Sequence, residues 1–80
     1  MLRWIFTRKG AALTCEIDAN AKEGYDVCVV PHWDVSSAAI ERFDGATSAL
    51  QRHAELARCL REAGWQLAQR MTADRVRAAA

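Results

Sequence analysis

The chain has 80 residues, a formal net charge of +1 and a hydrophobic fraction of 51%. That length suffices for one hydrophobic core, which argues against a second domain and against a deep enzyme cleft built from several layers. A charge so near zero creates no field strong enough to direct the chain to nucleic acid or to an anionic membrane.

The charge is unevenly spread: residues 1–45 hold five Lys/Arg against seven Asp/Glu, and residues 46–80 hold six Arg against three acids. Cys15, Cys28 and Cys59 are odd in number and widely spaced, which suits neither a disulfide-stapled secreted scaffold nor a CxxC pair. A reducing, cytoplasmic setting is therefore expected. The opening Met1-Leu2-Arg3-Trp4-Ile5 meets Arg8 and Lys9 before any apolar run long enough for a signal peptide or a membrane span, so no membrane is expected as a partner.

In chain order, Trp4-Ile5-Phe6-Thr7 and Leu13-Thr14-Cys15-Glu16-Ile17 are alternating, β-rich runs, and Lys9-Gly10 between them suits a two-residue hairpin turn. Setting Arg8 opposite Ala11 predicts the whole register. Leu2, Trp4 and Phe6 then oppose Ile17, Cys15 and Leu13 on a core face, while Arg3–Glu16, Ile5–Thr14 and Thr7–Ala12 pair on a solvent face.

Ala19 to Gly24 reads as a polar connection, followed by a third strand, Tyr25-Asp26-Val27-Cys28-Val29-Val30, stopped at Pro31. Val27 and Val29 are expected in the core. After the turn formers of Pro31 to Ser37, Ala39-Ile40-Glu41-Arg42-Phe43 suits either a fourth strand, the favoured reading, or a helical turn, and Asp44 or Thr47 supplies a capping oxygen for a helix.

From Ala46 to Ala63 there is no Pro or Gly, and Ala49, Leu50, His53, Leu56, Ala57, Leu60 and Ala63 form an apolar stripe. Arg52, Glu55, Arg58, Cys59 and Glu62 lie opposite. Gly64 suits a left-handed helix terminus, with Trp65 folding back to close it. Gln66 to Arg70 reads as an irregular continuation or a short extended segment. The predicted organisation is one α+β domain over residues 1–70, an antiparallel β-meander of three or four strands followed by one long amphipathic helix on one sheet face, with residues 71–80 as a frayed tail.

The chemistry-bearing residues are few. Among the histidines and cysteines the closest pair, Cys28 and His32, is separated by Pro31 and has no second local pair, so neither a metal nor a cofactor is expected. His53 sits on the apolar stripe, where an imidazole is usually satisfied by a backbone carbonyl. Pro31-His32-Trp33-Asp34 joins an imidazole, an indole and a carboxylate; Trp33 is either a binding anchor or a cover for the open end of the core. Ser36 and Ser37 follow, but composition supplies none of the geometry of a Ser-His-Asp site, and catalysis is not expected.

Three runs together show a further pattern: Tyr25 to Val30, Ile40-Glu41-Arg42-Phe43, and Leu50-Gln51-Arg52-His53-Ala54-Glu55-Leu56-Ala57 through Leu60-Arg61-Glu62-Ala63-Gly64-Trp65. This resembles a group of short uncharacterised bacterial proteins with an E-x-F strand end, an A-L-x-R-H-A helix and an L-x-x-x-G-W terminus. The resemblance spans about residues 25–65, implies the strand-then-helix fold and carries no activity.

The functional expectation is a non-catalytic module that binds a protein partner or a second copy of itself, through the exposed sheet face or an open sheet edge. Its candidate binding residues are Arg3, Arg8, Lys9, Thr14, His32 and Trp33. Nucleic-acid binding through hairpin and helix arginines is the alternative; it takes second place because Trp4 and Phe6, the only aromatics on the first two strands, point to the core. A small metal or enzymatic module centred on His32 ranks third.

Overall fold

A computed structural model describes residues 2–20 and 22–72. Its elements are β1 (Leu2–Arg8), β2 (Ala11–Ala19), β3 (Tyr25–Pro31), a single 3-10 turn at Val35–Ser37, β4 (Ala39–Phe43), α1 (Ala46–Glu62) and β5 (Gln66–Thr72). The strands form a five-stranded antiparallel sheet in the order β4-β3-β2-β1-β5. The α+β meander-and-helix architecture is the predicted one, enlarged by a fifth strand.

The hairpin pairs as its turn chemistry dictates, from Arg8 opposite Ala11 to Leu2 opposite Ile17. Lys9 and Gly10 both have positive φ, 50° and 82°, the conformation that joins right-twisted strands through two residues. At the β2–β3 connection Asn20 organises the turn: its Oδ1 accepts from the amides of Lys22 and Gly24 at 2.9 and 3.1 Å, and its Nδ2 donates to Asp26 at 3.1 Å.

Helix α1 leaves the β4 edge, crosses one face of the sheet and returns the chain to the opposite edge, where β5 pairs with β1. Seventeen helical residues span about 25 Å, enough to cross four inter-strand spacings of about 4.8 Å. Beneath it Phe6, Leu13, Cys15 and Ala57 form one buried cluster, against which Trp4, Val29, Leu56, Leu60, Trp65 and Leu67 pack. Ile17, Val27 and Ala49 form a second cluster under the first half of the helix.

The helix termini differ in how well they agree with the sequence reading. At the N-terminus neither Asp44 nor Thr47 caps: Gly45 is the N-cap residue and no side chain bonds the first-turn amides. Gly is tolerated there because its backbone reaches the extended N-cap conformation without a side-chain conflict. The C-terminus closes as expected, the amide of Gly64 donating to the Arg61 carbonyl at 3.0 Å and that of Trp65 to the Leu60 carbonyl at 2.9 Å. Gly64 has φ +95°, so Gly64→Ala should destabilise the fold by about 1 kcal/mol or more through backbone strain. A urea midpoint unchanged by that substitution would show that the cap contributes little.

Two stripe residues expected inside are outside: Leu50 is 52% exposed and Ala63 lies beyond the last helical residue on the surface. The helix meets the sheet along Ala49, His53 and Ala57, the small and medium residues that permit close approach, with Leu56 and Leu60 on the flank. Arg52 ties the helix to β4 by an ion pair with Glu41 at 2.8 Å.

β5 is the largest addition. It runs through Met71 and Thr72, two residues past the expected domain boundary at 70, and carries a bulge that leaves Ala68 unpaired between Leu67–Phe6 and Gln69–Ile5. Residues 73–80 of the expected frayed tail lie outside the described residues. The bulge places Leu67 over the core and then Arg70 over the Trp4 ring, 5.7 Å from its centroid.

Candidate functional site

Period-two alternation sends Leu2, Trp4, Phe6, Leu13, Cys15, Ile17, Val27 and Val29 toward α1 and leaves the intervening residues on the other face. Among the described residues no second α-helix exists to cover that face. The pairings arrange it in rows across the sheet: Thr7–Ala12–His32, then Gln69–Ile5–Thr14–Val30, then Met71–Arg3–Glu16–Cys28–Ile40, then Asp18–Asp26–Arg42.

The polar groups of this face answer one another. Arg3 Nε donates to Glu16 at 3.2 Å and Arg42 Nε to Asp26 at 3.2 Å. Thr14 Oγ1 and His32 Nε2 share a hydrogen bond of 2.7 Å, which closes His32 over Thr14 and leaves Thr14 7% exposed. A hydrogen bond with Asp18, then burial and the Asp18 charge, push the Glu16 carboxyl up, against the opposing pull of Arg3. Burial first, then Glu16, Asp18 and Asp26, raise the Cys28 thiol and disfavour a reactive thiolate. Ile5, Val30 and Ile40 supply apolar surface, Ile40 being 63% exposed on the edge strand β4.

A second cluster lies at the hairpin end. Trp33 is 63% exposed and stacks on Trp65, ring centroids 6.1 Å apart and planes 15° from parallel. The Arg8 guanidinium sits 5.4 Å from the centroid of the Trp65 ring, and its Nη1 donates to the Ala63 carbonyl at the helix end, 2.6 Å away. An open groove of about 480 Å³ adjoins them, lined by Thr7, Arg8, Lys9, Gly10, Ala63, Gly64 and Gln66.

The six residues singled out from the sequence thus divide into two groups: Arg3, Thr14 and His32 on the open sheet face, and Arg8, Lys9 and Trp33 at the hairpin end. Sequence reasoning missed Trp65 as the partner of Trp33, having read it only as a helix-closing contact. It does pack on the core, and it also carries the Trp33 ring.

The side chains with catalytic chemistry are otherwise engaged. Asp34 Oδ1 accepts from Ser36 Oγ at 2.6 Å, while His32 faces Thr14, so no Ser-His-Asp relay is assembled. His53 is 2% exposed and its Nε2 donates to the Cys15 backbone carbonyl at 3.1 Å. The Cys15 thiol, buried beside it, is pushed up to about 11, chiefly by burial and then by Cys28. Among the described residues no three His, Cys, Asp or Glu side chains are grouped so as to hold a metal ion, and no helix is long and apolar enough to cross a membrane.

The fold and the two surfaces define a small α+β domain in which one helix covers one face of a five-stranded antiparallel sheet. Comparison with protein families, with curated proteins and with solved structures finds no match to this chain.

Proposed function

We propose that the chain is a non-catalytic interaction module that pairs with a second copy of itself through the open sheet face. One observation carries this reading: among the described residues no element covers the face opposite α1, and two ion pairs are closed within it. Arg3–Glu16 and Arg42–Asp26 need no partner residues to neutralise them, so burying the face does not strand two pairs of ions. Ile5, Val30 and Ile40 then provide apolar contact area.

The dimensions suit a weak dimer. Five strands about 4.8 Å apart and about seven residues long on average present about 550 Å² per copy, or about 1,100 Å² in a pair, at the lower limit of specific interfaces. Association in the micromolar range or weaker follows. The cytoplasm of a bacterium is the setting we propose for it, on the strength of the three free cysteines and the resemblance carried by residues 25–65.

Sedimentation equilibrium across a concentration series tests the reading. The protein should pass from monomer to dimer, and Ile40→Glu, which places a charge on exposed surface without touching the core, should weaken the association at least about tenfold. A mass that stays monomeric up to millimolar concentration, or a dimer indifferent to Ile40→Glu, would overturn it.

A further inference from the structure

The hairpin end has a chemistry that the proposed dimer face does not use. We infer that Trp33, Trp65, Arg8 and Lys9 form a binding site for single-stranded nucleic acid, one unpaired base stacking on Trp33 while Arg8 and Lys9 take the adjoining phosphates.

A domain with three tryptophans leaves Trp33, its most exposed one, supported from behind by the parallel ring of Trp65. Holding a flat ring against a second ring reduces the freedom it would lose on binding a third, so the outer indole surface is ready to accept another planar π-system. Unpaired bases present that surface whatever their sequence.

The cations are placed beside it by backbone chemistry. Arg8 ends β1 and is fixed twice, by its bond to the Ala63 carbonyl and by its position over Trp65, so its remaining N–H groups are held in place at the groove. Lys9 stands at the first position of the tight turn with φ 50°, exposed and on the groove wall. No carboxylate is found among the described residues lining the groove. Of the acids nearest in sequence to the two indoles, Glu62 pairs with Arg58 at 3.5 Å, while Asp34 accepts from Ser36 and keeps its charge.

The helix arginines play a smaller part than the sequence suggested. Arg52 is committed to Glu41 and Glu55, and Arg58 to Glu62. Among the described residues lining the groove the cations are Arg8 and Lys9, and binding is expected to be weak and limited to one or two nucleotides. An acidic peptide would use Arg8 and Lys9 but leave the stacked indoles idle, which is why the nucleic acid is favoured.

Titration of the protein with single-stranded oligothymidylate at low salt, followed by tryptophan fluorescence, is the test. Quenching is expected, with log affinity falling against log salt at a slope of about −1.4, the value for two phosphates on a single strand. Trp33→Ala should weaken binding about five-fold or more with an unchanged far-ultraviolet circular dichroism spectrum. Lys9→Gln should reduce the salt slope by about 0.7. Absence of quenching at low salt would overturn the inference. So would Trp33→Ala binding as tightly as the parent, or oligoglutamate or duplex DNA binding as well as the single strand.

Discussion

Phe6→Ala is expected to remove about 3–5 kcal/mol of stability. Phe6 has no exposed surface, stands opposite Leu13 in β2 and Leu67 in β5, and lies 6.5 Å from the Trp4 ring. Removing its ring leaves a cavity between three strands and the helix that hydrogen-bonded backbones cannot collapse to fill. At about 0.05–0.15 kcal/mol per residue, an 80-residue domain holds about 4–12 kcal/mol in total. Equilibrium urea unfolding should therefore show the Phe6→Ala midpoint moved to much lower denaturant, with a large share of the parent's stability gone. A loss below about 1 kcal/mol would mean that the core is not centred where these strands place it, and Phe6→Leu, which keeps most of the volume, should fall between the two.

The second large effect concerns His53 and acid. The imidazole is buried against Trp4, ring centroids 4.8 Å apart and planes at 82°, with its Nε2–H on the Cys15 carbonyl. Burial holds it below its ordinary value of 6.5, and the bond to Cys15 only partly offsets that shift. The unfolded chain thus takes up a proton at higher pH than the folded one does. Stability is fully present above about pH 6.5 and is lost as the pH falls from there toward the folded value. Comparing urea midpoints at about pH 7.5 and about pH 5 should show this decline, and His53→Leu should abolish the His53 part of it. His53→Ala should cost about 2–4 kcal/mol at neutral pH, from lost packing and from a Cys15 carbonyl deprived of its donor. An acid decline identical in His53→Leu would assign it to other groups.

His53 and His32 show how a small domain divides its histidines. His53 is placed where its polarity serves one backbone carbonyl, and its position on the 3.6-residue stripe already implied that role. His32 lies on the exposed face, where its partner, Thr14, is eighteen residues away in sequence and adjacent across two strands. Nothing in the string Pro31-His32-Trp33-Asp34 distinguishes those surroundings from a catalytic loop. The distinction comes from the continuation of the β2–β3 ladder to His32, whose amide donates to the Ala12 carbonyl at 3.0 Å and turns the ring to the open face.

Whatever depends on neighbouring residues is legible along the chain. Lys9-Gly10 and strict alternation set the β1–β2 register without reference to the rest of the chain, and the spacing of Ala49, His53 and Ala57 set the helix face. Gly64 ended the helix because few other residues adopt its positive φ without strain. Tertiary structure alone decided the rest. Which sheet edge receives the chain after the helix depends on where a 17-residue crossing lands, and the bulge at Ala68 breaks the period of two by which β5 would have announced itself. The Trp33–Trp65 stack joins residues that share no local pattern; they meet because β3 ends and β5 begins at the same end of the sheet. Local periodicity and turn chemistry leave marks in a sequence, whereas contacts between distant segments are chosen by the free edges and surfaces that the finished fold leaves to one another.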